Sequence, residues 1–223
     1  MKSDTVKRSR TPAAPTERRK AGRPKSAPTD NQQERRRLIL GEAAALFAGL
    51  GYATSTMDEL AERTDLNKGT LYYYYNSKAQ LLYELALSAN QQAVAIAQAS
   101  STIDKPIDQL ANFIENMALW VGANRNIAII FIKEQNFFSN IFSPEQFTEL
   151  SRIHRSYMRL IYGMISEGVQ LGDFRQCDVV TVGRALSTIL FSMATWTSTS
   201  LSEAALAEQM KLLFLDGLGS RSN

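Results

Sequence analysis

The chain has 223 residues, of which 44% are hydrophobic, and this suits one or two domains with a real core. Its net charge is +3, and its single cysteine, Cys177, excludes an internal disulfide and fits a reducing compartment. There is no apolar run of roughly eighteen residues, so we expect no membrane-spanning helix. The first thirty residues are charged and have no apolar segment, so we expect no signal peptide and a cytoplasmic protein.

The positive charge is concentrated at the N-terminus. Residues 1–30 contain nine Lys and Arg against three Asp and Glu, a net charge of +6, whereas residues 31–80 balance six bases with six acids. Residues 1–29 are rich in Pro, Ser, Thr and Ala and have little to bury, so we predict a disordered basic arm there. Such an arm ahead of a near-neutral body indicates a polyanionic partner, nucleic acid before membrane surface.

From residue 30 onward, apolar residues recur at spacings of three and four, which predicts helices. No stretch alternates with period two for long enough to support a sheet, so the predicted fold class is all-α. We expect about nine helices, at 31–48, 57–63, 68–74, from 78, 106–123, 127–138, 144–171, 179–197 and from 203.

Several helix starts can be identified from capping residues. Capping boxes are predicted at 56–59, 77–80 and 143–146, and single caps at Asn67, Asp178 and Ser202. Pro106 suits the first position of a helix. Gly49 and Gly51 are expected to end the first helix.

The two short helices at 57–63 and 68–74 have the spacing of a helix-turn-helix, whose second helix enters the major groove of DNA. Lys68 is long enough to reach a guanine edge, and Gly69 lets the backbone approach the duplex. Thr70 lies in the first turn, where backbone N–H groups favour phosphate. Tyr72 and Tyr73 can donate hydrogen bonds to phosphate oxygens. On this pattern alone, an ordinary amphipathic tyrosine cluster is an equal alternative.

Three segments carry a resemblance to a known family: AAALF at 43–47, GYATSTMDELA at 51–61 and LNKGTLYYYYNSKAQLL at 66–82. They closely resemble the N-terminal domain of the TetR family of transcriptional repressors and match nearly every position of its Gly-Thr-Leu-Tyr-Tyr-x-Phe-x-x-Lys core. Tyr74 stands where the family often has His, and Tyr75 where it usually has Phe. The resemblance is strong over these segments and extends loosely to the whole chain through the helix count.

The resemblance implies a helix-turn-helix DNA-binding domain at 30–80 and an effector-binding and dimerisation domain at 81–223. It also implies roles for particular residues at the DNA. Lys68, Gly69 and Thr70, at the start of the recognition helix, contact bases and phosphates, and Tyr72 and Tyr73 contact both as well. Lys78 binds a phosphate, and Thr56, which caps the second helix, lies against the DNA backbone.

The basic arm contains KAGRPK at 20–25, which resembles the core of an AT-hook. Pro24 keeps such a segment extended, and Gly22 lets it approach the groove floor. Arg23 would then place its charge in a narrow A·T minor groove. The alternative is a solvated arm that attracts phosphates without sequence preference.

The last two helices are apolar on more than one side and would expose a large apolar patch in a monomer. A homodimer formed through both helices, as the resemblance implies, removes that exposure; burial within one chain is the alternative. Effector binding would shift the fourth helix and change the distance between the two helix-turn-helix domains of the dimer.

An effector cavity is expected between the fourth and eighth helices. Its predicted lining is Trp120, Phe131, Glu134, Phe138, His154, Tyr157, Thr188, Phe191 and Trp196. Each aromatic is also compatible with an ordinary core position, but the set suits an apolar ligand with a polar end. The segments IIFIKE at 129–134 and GDFR at 172–175 resemble those of family members that regulate lipid or acyl-CoA breakdown.

The sequence therefore predicts a repressor released from an inverted-repeat, double-stranded operator by a small, largely apolar effector, such as a fatty acid or acyl-CoA. No catalytic set, metal-ligand cluster or cofactor motif is recognisable, so we expect no enzyme, metal or cofactor. A helical enzyme and an architectural DNA binder that uses only the basic arm are the competing hypotheses.

Overall fold

The computed structural model describes residues 30–196 and 201–218, so the basic arm and Arg23 lie outside the described residues. Apart from an isolated bridge at Phe174, the regular structure in this part of the chain is helical, which confirms the all-α prediction. The helices are α1 (Asp30–Leu50), α2 (Met57–Arg63), α3 (Lys68–Tyr74), α4 (Lys78–Ser100), α5 (Pro106–Ala123), α6 (Arg125–Glu134), α7 (Phe138–Ile141), α8 (Pro144–Leu171), α9 (Val179–Ser192) and α10 (Glu203–Lys211).

The predicted helix starts are set by their caps. Complete capping boxes open α2 at Thr56 and α8 at Ser143. Asn67, Asp178 and Ser202 each accept a hydrogen bond from the backbone N–H three residues later. Ser77 caps α4 in the same way, but Gln80 accepts from the Asn76 N–H instead of from Ser77, so the third box is incomplete.

Two predicted helices are interrupted. The helix expected over 127–138 is α6, a 3₁₀ turn at Gln135–Phe137 and the short α7. The helix expected over 179–197 ends at Ser192 and continues as a 3₁₀ turn, Met193–Thr195. The end of α1 agrees with the prediction at one of the two glycines. Gly49 is still helical, whereas Gly51 follows the last helical residue, Leu50, and with a φ of 92° adopts the left-handed conformation that ends the helix.

The described residues form two hydrophobic cores. One joins α1–α4 and includes Phe47, Leu60, Ala61 and Leu71. Four residues from outside the helix-turn-helix complete it: Ile130, Phe138, Phe142 and Leu150. The other joins α4, α5, α6, α8, α9 and α10. Helix α6 belongs to both cores and packs against α1 and α9. In the described ranges, no helix is long and apolar enough to cross a membrane.

Two glycines on α8 allow a test of how tightly the second core, which joins α4, α5, α6, α8, α9 and α10 and is the larger of the two, is packed. A Cβ added at Gly168 would lie 2.2 Å from Cδ2 of Phe174, a ring only 2% exposed, whereas a Cβ at Gly163 would meet nothing within 4 Å. We expect Gly168→Ala to lower the free energy of unfolding by about 1–3 kcal/mol because the ring has nowhere to move. Gly163→Ala should raise it by up to about 1 kcal/mol through helix propensity.

Chemical denaturation of both variants at one protein concentration measures this difference. Equal effects of the two substitutions would show that the packing of Phe174 against α8 is not tight.

Candidate DNA-binding surface and effector cavity

Helix α3 presents one face to solvent and buries the other. Leu71 is fully buried in the helix-turn-helix core, whereas Tyr72 and Tyr73 are 39% and 73% exposed. Lys68 and Gly69 at its start are exposed as well. The structure therefore brings together on one surface the α3 side chains that were predicted to meet DNA.

The first turn of α3 is organised by Asn67. Its Oδ1 accepts hydrogen bonds from the backbone N of Thr70, at 2.8 Å, and from Thr70 Oγ1, at 3.0 Å. A Cβ added at Gly69 would meet only Asn67 Oδ1, at an ordinary 3.5 Å. Nothing described inside the chain thus requires glycine here, and its small size is available to a molecule that approaches from outside.

Two residues that were predicted to contact DNA already have partners within the chain. Lys68 forms an exposed ion pair with Asp58, 2.8 Å from Nζ to Oδ1, which it must leave to reach a base. Thr56 donates its hydroxyl proton to Glu59 and accepts from the Glu59 N–H. Exposed ion pairs of this kind contribute only about 0–1 kcal/mol, so DNA can compete for Lys68.

Lys78 holds the turn between α1 and α2. Its Nζ donates to the carbonyl oxygens of Tyr52, Ala53 and Ser55 and lies 4.4 Å from the centre of the Tyr52 ring. Burial lowers the pKa of the ammonium, and the negative charge of Glu134 opposes this shift. An ammonium has three protons to donate, and all three have partners here. A phosphate would have to displace one of them, so the predicted phosphate contact of Lys78 stays a prediction.

Tyr75 fixes α3 against α1 and α4. Its ring is fully buried, and its hydroxyl donates to Glu84, which also accepts a 2.8 Å hydrogen bond from Arg36. The Arg36 guanidinium lies 4.7 Å from the centre of the Tyr75 ring. Burial, followed by the charge of Glu84, raises the pKa of the phenol, which therefore stays protonated. The hydroxyl that distinguishes Tyr75 from the phenylalanine expected by resemblance thus has a hydrogen-bond acceptor within the chain.

A cavity of about 1150 Å³ lies in the C-terminal body. Ligand sites typically occupy roughly 300–1,000 Å³, so this cavity can accept a large ligand. Of the nine predicted lining residues, six line it: Phe131, Phe138, His154, Tyr157, Thr188 and Phe191. Tyr157 is buried, its hydroxyl lies 3.3 Å from that of Ser187, and burial raises its pKa to about 12, so it stays a phenol.

Three predicted lining residues lie elsewhere, and each has a physical reason. Trp120 donates its indole N–H to Gln92, at 2.8 Å. Its ring packs against Phe191, which does line the cavity, with centroids 6.1 Å apart. Trp196 follows the 3₁₀ turn that ends α9 early, and it packs on the larger core. Glu134 points to the DNA-binding region, where its carboxylate accepts a hydrogen bond from the Tyr52 N–H.

Helix α6 connects the cavity with the helix-turn-helix. Phe131 and Ile132 line the cavity, and the next two residues reach the end of α1. Lys133 donates to the Ala48 carbonyl at 2.8 Å, and Glu134 accepts from the Tyr52 N–H at 3.1 Å. The sequence does not show which neighbouring element each side of a helix contacts. For this reason the sequence-based prediction placed Glu134 in the cavity lining.

Three arginines of the cavity were not among the predicted site residues. Arg155 and Arg159 of α8 and Arg184 of α9 contribute to its lining. The spacing of Arg155 and Arg159, one helical turn apart on the face of a helix, was the available signal. In the part of the chain that the structure describes, no group of three His, Cys, Asp or Glu could hold a metal ion.

Residues 39–85 match the model of bacterial regulatory proteins of the tetR family, and residues 104–218 match the tetracyclin repressor-like C-terminal domain. The transcriptional repressor KstR2 of Rhodococcus jostii is 24% identical over 206 residues, which cover 90% of this chain and 98% of that protein. The fatty acid metabolism regulator protein of Bacillus subtilis is 24% identical over 167 residues, which cover 71% and 81%.

The same fold occurs in the crystal structure of AibR in complex with isovaleryl coenzyme A and operator DNA. The TM-score is 0.70 at 20% identity, and the match covers 81% of this chain and 98% of that one. The helix-turn-helix surface and the two matched regions define a DNA-binding transcriptional regulator. The chain belongs to the TetR family, which confirms the resemblance found in the sequence.

The two roles of Lys78 can be separated by the salt dependence of DNA binding. We expect Lys78→Met to lower the free energy of unfolding by about 1–3 kcal/mol, because partly buried carbonyls lose their donor. Because the three ammonium protons of Lys78 already have carbonyl partners, this geometry predicts an unchanged slope of log affinity against log salt, whereas the phosphate contact implied by the resemblance predicts a smaller slope.

Lys68→Met is the matched control, because Lys68 is exposed and has only a surface ion pair. It should leave stability nearly unchanged and weaken DNA binding. A fall of about one in the salt slope for Lys78→Met would instead assign this lysine to phosphate.

Proposed function

We propose that the protein is a homodimeric repressor that binds an inverted-repeat operator and is released by a small, largely apolar effector of the fatty acid or acyl-CoA type. The observation that carries the proposal is the cavity in the C-terminal body, because four of the helices that line it also contribute to the core of the DNA-binding region. Those helices are α4, α6, α7 and α8, which line the cavity with Ala89, Phe131, Phe138 and Leu150.

An effector in this cavity would act on the DNA-binding region through packing. Helix α4 begins at Lys78, which holds the turn before α2, and passes the cavity at Asn90. Helix α6 contacts the end of α1 through Lys133 and Glu134. A shift of either helix changes where α3 lies relative to its counterpart in the dimer. Two half-sites one DNA turn apart need the recognition helices about 34 Å apart, so a small rotation weakens binding.

Exposed apolar side chains on α9 and directly after α10 support the homodimer. Val180 of α9 is 45% exposed, and Leu212 and Leu213, which follow α10, are 52% and 56% exposed. Leu186 and Leu190 of α9 are fully buried within the chain, so α9 has one face for its own core and one for a partner.

The lining of the cavity and two similar proteins support the proposed effector class. Phe131, Phe138 and Phe191 offer apolar surface, and His154 and Thr188 offer polar groups. The names of two similar proteins refer to fatty acid metabolism and to isovaleryl coenzyme A.

Two further parts of the proposal concern the arm and the compartment. Minor-groove insertion of Arg23 stays a prediction, because it concerns the arm outside the described residues. A regulator of this kind works in the cytoplasm, where the operator is accessible.

Operator binding and release test the proposal directly. Fluorescence anisotropy should give much tighter binding to the inverted repeat upstream of the protein's own gene than to random DNA of equal length, typically by about 10³-fold or more. An acyl-CoA or fatty acid of suitable length should then weaken operator binding by about 5–150-fold. A specificity ratio near one, with steep salt dependence, would instead identify an architectural DNA binder. No binding to either DNA would favour an enzyme.

The link through α6 can be tested by removing both contacts, with Lys133→Met and Glu134→Ala in one chain. Effector affinity without DNA should stay the same, because neither residue lines the cavity. The coupling free energy between effector and operator should fall by roughly 0.5–2 kcal/mol, the size found for residues along such networks. Asn126→Ala, an exposed change on the same helix, is the control. Unchanged coupling in the double variant would move the transmission to the other helices that the cavity and this core share, α4, α7 and α8.

A further inference from the structure

Basic side chains outnumber acidic ones in the lining of the effector cavity. Arg155, Arg159 and Arg184 contribute to it, and among the described residues that line it there is no Asp or Glu. The whole chain has 25 Lys and Arg against 22 Asp and Glu, so this lining departs locally from the overall balance. Such a local excess of positive charge favours an anionic ligand over a neutral one.

The three arginines also have no partner within the described part of the chain. The ion pairs found there involve Arg36, Lys68 and Lys211, and none involves a cavity arginine. Nor does any of the three donate a hydrogen bond to another described side chain or carbonyl. Arg155 and Arg159, one helical turn apart, repel each other, since like charges at this spacing are unfavourable. The arrangement therefore leaves a cost that an anionic ligand would remove.

His154 adds no charge to this group at neutral pH. Its ring packs on Tyr157 with centroids 6.0 Å apart, and desolvation lowers the pKa of the imidazole below its ordinary value. At pH 7 the cavity charge thus comes from the guanidinium groups. Their planar forks match the oxygens of a phosphate in bidentate geometry.

The basic residues lie beside apolar ones in this cavity. Phe138, Leu150 and Phe191 line it with apolar surface, and the exposed side chains of Arg159 and Arg184 line it from α8 and α9. An apolar space next to guanidinium groups suits a ligand with one apolar end and one anionic end.

Two of the arginines come from helices that pack against each other, α8 and α9. Arg159 and Tyr162 are three residues apart on α8 and so lie on the same side of that helix. The Tyr162 ring packs on Gly183 of α9, where an added Cβ would lie 2.7 Å from the ring. Arg184 is the next residue after Gly183, and it lines the cavity together with Arg159 and Tyr162.

We propose that Arg155, Arg159 and Arg184 form a binding site for the phosphorylated head group of an effector whose apolar part occupies the cavity. The inference rests on the proposed function, since it takes this cavity as the effector site. It narrows the effector to an acyl group joined to a head group with several negative charges, as in a coenzyme A thioester. A fatty acid offers one carboxylate, which can satisfy at most one or two of the three guanidinium groups.

Titration calorimetry with the full-length protein tests the site without DNA. The probes are butanoyl-, octanoyl- and palmitoyl-CoA, the three free acids, octanoyl-pantetheine, which has the thioester but no phosphate, and octyl phosphate. We expect the best CoA thioester to bind at least about tenfold more tightly than its free acid and than octanoyl-pantetheine. Its affinity should also fall as salt is raised, because ionic contacts are screened.

Single variants Arg155→Ala, Arg159→Ala and Arg184→Ala should each weaken binding of that thioester by about tenfold or more. They should leave the binding of octanoyl-pantetheine unchanged, which a general loss of structure would not do. Arg159→Lys should retain part of the affinity. Arg152→Ala is the matched control, because Arg152 lies on the same helix but lines a separate shallow groove with Glu145 and Glu149. It should have no effect.

Equal binding of thioester and free acid, or unchanged thioester affinity in all three alanine variants, overturns the proposal. Tight binding of octyl phosphate with weak binding of every CoA thioester would keep the phosphate site and reject the nucleotide-bearing head group. Operator binding without effector separates this result from the proposed function. Alanine variants that bind operator and thioester as the wild type does refute the arginine site alone, whereas a wild type without specific operator binding refutes the repressor.

Discussion

Helix α6 must fit two hydrophobic cores at once, and the geometry of both described regions depends on this constraint. Ile130 is 1% exposed in the core of the helix-turn-helix region, and Ala128 is fully buried in the core of the C-terminal body. Because protein interiors are close-packed, a helix with residues in two cores cannot follow one of them without disturbing the other. Phe131 of the same helix lines the cavity, so the constraint includes the space that a ligand would fill.

The polar contacts around α6 extend this constraint to the turn before the recognition unit. Glu134 accepts from the Tyr52 N–H, and Lys78 donates to the Tyr52 carbonyl, so one residue of the turn is held from both sides. The Tyr52 ring packs on Phe47 with centroids 5.4 Å apart. A movement of α6 would therefore displace the backbone that leads into α2. Packed interfaces of this kind switch between discrete arrangements more readily than they deform continuously.

Much of this fold could be predicted because the local signals were strong. The caps at Thr56, Asn67 and Ser143 each have a side-chain oxygen at the required position, and they place α2, α3 and α8 to the residue. The interruptions could not be predicted in this way. The apolar period continues through Gln135 and through Met193, and only tertiary packing decides that the helices tighten there.

Most of the apolar lining of the cavity was predicted, but its charged residues were not, for a related reason. Periodicity gives the face of a helix, but it does not say which neighbour that face meets. Glu134 and Phe131 were placed in one set, although one contacts the turn at Tyr52 and the other lines the cavity. By sequence alone, the arginines on α8 resemble an ordinary solvated face, and only the packing of α9 adds Arg184 to them. Long-range placement of this kind has no local signature in the sequence.

An anionic effector and DNA carry charge of the same sign, which raises the question of whether direct repulsion could release the operator. Recognition helix α3 packs on α2, while the cavity arginines lie on α8 and α9. Helix α4 packs against both α1 and α8, and α6 packs against both α1 and α9, so two helices join the elements that carry the arginines to the DNA-binding region. Arg155, Arg159 and Arg184 are exposed to solvent, where charges more than a Debye length apart, about 8 Å at physiological salt, are largely screened. Direct repulsion therefore acts only over a short range, and packing through α4 and α6 is the route that we infer for the action of a ligand at the arginines on α3.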